Sequence, residues 1–90
     1  MLLAEDIAFV LRAKNRIKIL NALQGKELIS KQIERATNMY KSHISRTLKE
    51  LQSKELIICI NPKDRNFKFY KLTPKGKQIL KEIKKIKNIY

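Results

Sequence analysis

The sequence is poor in the residues that announce chemistry. Its single cysteine, Cys59, stands alone among 90 residues. No intrachain disulfide can form, and its place inside the apolar run LIICI marks it as a small buried side chain rather than a nucleophile. The single histidine, His43, completes the soft donors. A first-row metal site needs more ligands than these two residues supply. Two glycines, Gly25 and Gly76, leave no glycine-rich loop to cradle a phosphate. No nucleophile is paired with a base in a recognisable context. An enzyme is therefore not expected, and neither a cofactor nor a metal site is. Long apolar runs are missing as well. The opening stretch MLLAEDIAFVLRAKNRIKIL is broken by Glu5, Asp6 and Arg12. It reads neither as a signal peptide nor as the about 20 apolar residues of a membrane span. A soluble, cytoplasmic protein is the expectation.

Acidic residues are scarce too: 8 against 21 lysines and arginines, for a net charge of +13. The imbalance is uneven, with 8 cations against 4 acids in residues 1–45 and 13 against 4 in residues 46–90. A polyanion is the partner such a chain attracts. An anionic membrane surface would satisfy the same electrostatics, so charge alone does not choose. Ninety residues fit one domain, 1–90, with a modest core that a partner subunit would usefully extend.

Apolar spacing outlines the elements. Leu3, Ile7, Val10 and Leu11 predict a helix over about 3–13. NRIKILNAL sets Ile17, Leu20 and Leu23 on one helical face, ended by Gly25. ELI at 27–29 is long enough for a single β-bridge. Ser30 is placed to N-cap a short helix, SKQIERAT, with Ile33 and Ala36 inward. A longer helix runs from Met39 to about Lys54. LIICI at 56–60 reads as a strand, NPKDRN as a turn, and FKFYKL at 67–72 as the antiparallel mate. Thr73 then Pro74 starts a last helix reaching about Ile89, an N-cap oxygen followed by a residue whose missing N–H is harmless at the first position. Three helices followed by a hairpin form a winged helix in outline.

On a wheel of about 100° per residue, Ile44, Leu48 and Leu51 share the inner face of the 39–54 helix. Ser42, Ser45, Arg46, Lys49 and Ser53 lie opposite, with His43 on a flank. That outer face is built of short hydroxyls and cations, which suits close approach to a duplex, although a plain solvated face has the same look. Thr37, Asn38, Met39 and Tyr40 form the turn before it. Asn38 tolerates the left-handed conformation a tight helix-helix turn demands, and Met39 drops an apolar side chain between the helices.

The stretch IERATNMYKSHISRTLKEL resembles the helix-turn-helix of winged-helix regulators. Ile33, Asn38, Met39, Ser42, Ile44, Ser45 and Arg46 fill matching places. NRIKILNAL is similar to the segment that precedes this motif in the ArsR-like group. YKLTPKG resembles the strand-to-helix signature of ArsR, MarR and PadR-like proteins. Together the three span roughly residues 14–80. The resemblance implies a mainly α winged helix-turn-helix with a small β-hairpin wing. Its function would be sequence-specific binding of double-stranded DNA by a homodimeric transcriptional regulator. Three departures from the pattern stand out. Glu34 replaces a small Ala, Tyr40 replaces a capping Ser, and Glu55 replaces the Gly that often ends the helix. Tyr40 is open to two roles, held by the core or meeting a phosphate through its hydroxyl.

Ser42, His43, Ser45 and Arg46 are the residues expected at or near base edges. Tyr40, Lys41, Lys49, Lys63 and Arg65 are those expected on the DNA backbone, the last two from the wing. In the last helix, Ile79, Ile83, Ile86 and Tyr90 recur at intervals of 4, 3 and 4, an a/d seam that would pair with its symmetry mate. The 3–13 and 74–90 helices would then be dimerisation elements flanking a core at about 14–73. The same stripe packed on its own domain is the plainer reading, and a membrane-surface helix lacks a Trp or Phe on its apolar face. The rival function is a winged-helix assembly module that binds RNA or an acidic protein partner. Nothing in the sequence names a small-molecule effector.

Overall fold

The computed structural model describes residues 3–87. Helices α1 (Leu3–Leu11), α2 (Lys14–Ala22), α3 (Ser30–Thr37) and α4 (Lys41–Ser53) are followed by strands β1 (Ile57–Cys59) and β2 (Tyr70–Leu72) and by helix α5 (Pro74–Lys87). The two strands pair antiparallel, with Ile57 opposite Leu72 and Cys59 opposite Tyr70. The ELI segment contributes the bridge anticipated for it. Leu28 exchanges both backbone hydrogen bonds with Tyr70, at 3.0 and 2.8 Å, and so covers the outer edge of β2. The architecture is a winged helix-turn-helix. Among the described residues no helix is long and apolar enough to cross a membrane.

The core is one cluster drawn from every element. Ile19, Leu20 and Leu23 come from α2 and its end, Ile33 from α3, Ile44, Leu48 and Leu51 from α4, and Leu56, Ile57 and Leu72 from the hairpin. It does not stop at residues 14 and 73. Val10 of α1 and Ile79, Leu80 and Ile83 of α5 are buried in it. This corrects the seam expected along the last helix. Ile79 and Ile83 are fully enclosed by their own domain, because a core this small needs the α5 stripe to close it. Ile86 is 39% exposed, and Tyr90 lies outside the described residues. Two smaller expectations also change. Ala36 is exposed rather than inward. Ser30 is the first residue of α3 rather than its cap; Ile29 holds the cap position and its N–H donates to Gln32 Oε1 at 2.9 Å.

Helix α1 is seated by charge as well as by Val10. Asp6 is buried, its side chain 7% exposed, and Lys75 Nζ of α5 lies 3.2 Å from its Oδ2, although no directed hydrogen bond reaches that oxygen. On the other side, Arg16 of α2 donates to the Phe9 carbonyl and to Glu50 Oε1 of α4 at 3.1 Å, while its guanidinium stacks 3.7 Å over the Phe9 ring.

The end of α4 is tied to the start of α5. Thr73 N–H donates to the Leu56 carbonyl at 3.1 Å, Thr73 Oγ1 to the Glu55 carbonyl at 2.6 Å, and Lys75 Nζ to the Lys54 carbonyl at 3.1 Å. Thr73 Oγ1 also accepts the Gly76 N–H at 2.9 Å, the N-cap expected of it. Gly76 sits so close that a Cβ there would lie 1.9 Å from the Leu56 carbonyl oxygen. Glu55, in the place where a Gly was the norm, takes the glycine-like φ of +60°. The two positions respond in opposite directions to substitution. Gly76→Ala should lower the unfolding free energy by about 3 kcal/mol or more, since a backbone carbonyl cannot move aside. Glu55→Gly should raise it by about 1 kcal/mol by relieving the left-handed conformation. Urea denaturation of the two variants beside the parent measures both shifts.

Candidate nucleic-acid interface

Helix α4 is rigid because its inner face is locked. Ile44, Thr47, Leu48 and Leu51 are buried, and Glu50 is held by Arg16. Its entry is set by the preceding turn. Asn38 adopts φ 60° and ψ 26°, and its N–H donates to the Glu34 carbonyl at 2.8 Å. Thr37 Oγ1 donates to the Ile33 carbonyl at 2.7 Å and accepts the Met39 N–H at 3.3 Å, while Met39 is buried in the core. The turn is therefore the left-handed one that Asn38 permits.

With the inner face fixed, the outer face is determined by helical geometry. Ser42, His43, Ser45, Arg46 and Lys49 are all exposed, as is Lys41 in the first turn. Tyr40 resolves its two expected roles against the core. It is 78% exposed and meets His43 edge to face, with ring centroids 5.8 Å apart. Tyr40 occupies the cap position of α4 without a side-chain hydrogen bond. The first N–H groups of the helix thus have no side-chain cap and face outward with the positive end of its dipole.

The wing is shorter in its ladder than FKFYKL predicts, because side chains replace backbone pairing beyond Cys59. Ile60 N–H still reaches the Phe69 carbonyl at 2.9 Å. Asn61 then acts as a substitute strand: its Oδ1 accepts the Phe69 N–H at 2.8 Å and its Nδ2 donates to the Phe67 carbonyl at 2.7 Å. Asp64 Oδ1 accepts the N–H groups of Asn66 and Phe67, at 2.8 and 2.9 Å. These two donors, that of Phe67 first, hold the Asp64 carboxyl below its ordinary 3.8.

Between wing and helix lies a cleft of about 630 Å³. Lys41, Ser45 and Lys49 of α4 line one side, and Arg65, Phe67 and Lys68 of the wing line the other. Lys31 of α3 adds a further cation, and Glu34 is the single acid on the wall. Glu34 makes none of the ion pairs found among the described residues. Cys59 and Tyr70 form part of the floor, where burial, then the neighbouring Cys59, pushes the Tyr70 phenol above its ordinary value.

The structure thus brings Lys41, Ser45, Lys49 and Arg65 to one cleft. Ser42, His43 and Arg46 lie outside it on the exposed face of α4, and Lys63 stands exposed near the wing tip. Lys31, Phe67 and Lys68 were not foreseen. Lys68 was within reach of the sequence, since it stands two residues before Tyr70 and so shares its side of a strand. Among the described residues no three His, Cys, Asp or Glu side chains gather to hold a metal.

The family model described as the HVO_A0261 N-terminal domain matches residues 4–89. No curated protein is similar to the chain in sequence. Solved structures are. A MarR family transcription regulator is 30% identical and superposes with a TM-score of 0.78, over 98% of this chain and 64% of that one. A PadR family transcription regulator from Clostridium difficile is 27% identical, with a TM-score of 0.71 over 83% of this chain and 86% of that one. The transcriptional regulator BldR from Sulfolobus solfataricus is 25% identical, with a TM-score of 0.74 over 86% and 57%. The chain spans less than two thirds of the MarR regulator and of BldR.

The wing turn should respond to acid in a defined window. Because the folded Asp64 carboxyl titrates below its ordinary 3.8, the order it confers is complete above that value and is lost as pH falls through the lowered one. Amide resonances of Asn66 and Phe67 followed by NMR should titrate with a midpoint below 3.8, and Asp64→Asn should abolish that transition.

Proposed function

The chain belongs to the HVO_A0261 N-terminal domain family, and from that premise we propose that it binds double-stranded DNA sequence-specifically as a transcriptional regulator. The observation that carries this reading is the outer face of α4. It is exposed along its length and free of acid from Lys41 to Lys49, on a helix whose opposite face is locked in the core. A helix so held can enter a major groove without rearranging. Ser42, His43, Ser45 and Arg46 are assigned to base edges or their immediate surroundings. Arg46 offers two donors to a guanine. Tyr40, Lys41 and Lys49 are assigned to phosphates on one side, and Lys63 and Arg65 to the backbone flanking the wing. The uncapped first turn of α4 adds donors for the same anions. The named regulators with this fold support the reading at the level of the domain.

The regulator acts as a homodimer in this reading, joined through α1 and α5. Leu11 and Ile86 are exposed on these helices and offer the apolar contact that the enclosed Ile79 and Ile83 cannot. A two-fold pair would set two recognition helices about 34 Å apart, one turn of the duplex. The rival reading, an assembly module, draws on a specific feature as well. The outer face of the hairpin leaves Ile58 and Ile60 exposed, as a protein-docking surface would.

Fluorescence anisotropy decides between them, using DNA from the protein's own upstream region, a scrambled duplex and RNA, each at two salt concentrations. A preference for the native duplex of about 10³ or more at physiological salt establishes the regulator. Equal, salt-labile binding to all three rejects it in favour of a general polyanion grip. Within a specific complex, Arg46→Ala should weaken binding by about 1–3 kcal/mol and relax one position of the site, whereas Lys49→Ala should weaken every sequence alike.

A further inference from the structure

Four of the large apolar side chains exposed to solvent, Ile58, Ile60, Phe67 and Phe69, lie on the hairpin. They divide between its two faces. Ile58 and Ile60 alternate with the inward Ile57 and Cys59, and Phe69 pairs with Ile60, so these three share the outer face. Phe67 alone of the four lines the cleft toward α4. It is 57% exposed there, although burying such a ring is worth about 1.5–3 kcal/mol.

Its backbone is also held on both sides. The N–H is taken by Asp64 and the carbonyl by Asn61 Nδ2, so two side chains hold in place the main chain that carries an exposed aromatic. Arg65 and Lys68 flank it in sequence and line the same cleft, with Lys41 and Lys49 across from them. Asp64, the acid within the turn, has Oδ1 engaged by backbone donors. The surface on offer is an exposed aromatic ring on a held backbone, in a cleft where Lys31, Lys41, Lys49, Arg65 and Lys68 outnumber the single acid, Glu34. Its complement is a flat apolar ring flanked by anions, which is the chemistry of a nucleobase between two phosphates.

We propose that Phe67 is a stacking residue, which takes the face of a nucleobase while the cations of the cleft hold the adjoining phosphates. The proposal rests on the DNA-binding reading and adds a contact that a helix in the major groove does not require. The base has two possible sources. It is exposed when Phe67 enters and opens a base step, which also kinks the duplex, or it is already unpaired when the protein meets it.

The test measures anisotropy for three labelled ligands: a duplex, the same duplex with one bulged adenine, and its single strand. Each is titrated with the parent chain and with Phe67→Ala, Phe67→Leu and Phe67→Tyr. Circular dichroism melting checks that each variant is folded. Phe67→Ala is expected to weaken the bulged duplex about tenfold, with Phe67→Tyr close to the parent and Phe67→Leu close to Ala. An equal loss on the intact duplex identifies step opening, and a loss confined to the bulged and single-stranded ligands identifies an unpaired base. The proposal is overturned if Phe67→Ala changes all three affinities by less than about twofold. It is overturned equally if Leu serves as well as Phe, since bulk and not the ring would then be at work. A parent chain that binds none of the three overturns the DNA-binding reading itself, which separates that failure from this one.

Discussion

The carbonyls of Lys54, Glu55 and Leu56 are all taken by the segment from Thr73 to Lys75, and the next residue, Gly76, approaches the last of them too closely for any side chain. Three elements meet at this junction: the end of the exposed helix, the base of the hairpin and the first turn of the closing helix. Because the contacts run to backbone carbonyls, they fix positions rather than residue identities. The angle between α4 and the wing follows from it, and so does the width of the cleft between them. Lys41 and Lys49 face Arg65 and Lys68 across that cleft because both walls are anchored at their shared root.

A second set of polar contacts, which begins at the same Lys75, holds α1. Arg16 reaches Phe9 and Glu50, and Lys75 approaches Asp6, so α1 is connected by charge to both α4 and α5. The pairing of Asp6 with Lys75 is enclosed on the acid side, and removing Lys75 would take away the one ion-pair partner Asp6 has among the described residues. The apolar core and these polar ties therefore act on the same helices, and none of the five stands as an appendage.

Much of this could be read from the chain before its fold was seen. Asn38 and Thr73 each occupy a backbone position whose demands are local, and local chemistry is what a sequence displays most openly. The buried stripe Ile44, Leu48 and Leu51 was legible for the same reason, as it follows from helical period alone. What escaped was non-local. Whether Ile79 and Ile83 meet another copy or their own domain depends on how much core the remaining residues can build, and periodicity is identical in the two cases. Likewise the hairpin ladder ends early because Asn61 and Asp64 reach across the turn, and strand propensity carries no trace of a side chain standing in for a strand. At the interface, the cations of α4 were visible on a wheel. Lys31 and Phe67 became candidates only once the wing had folded back against the helix.

The bonding of the wing turn is self-contained. Asn61 and Asp64 organise residues 61–69 using side chains from within that stretch, whereas the junction at Leu56 and Gly76 secures the base independently. The tip and its root are thus separable. The tip can be exchanged, lengthened or recharged without disturbing the hydrophobic interior, since a loop secured by its own side chains transmits little to the scaffold beneath it.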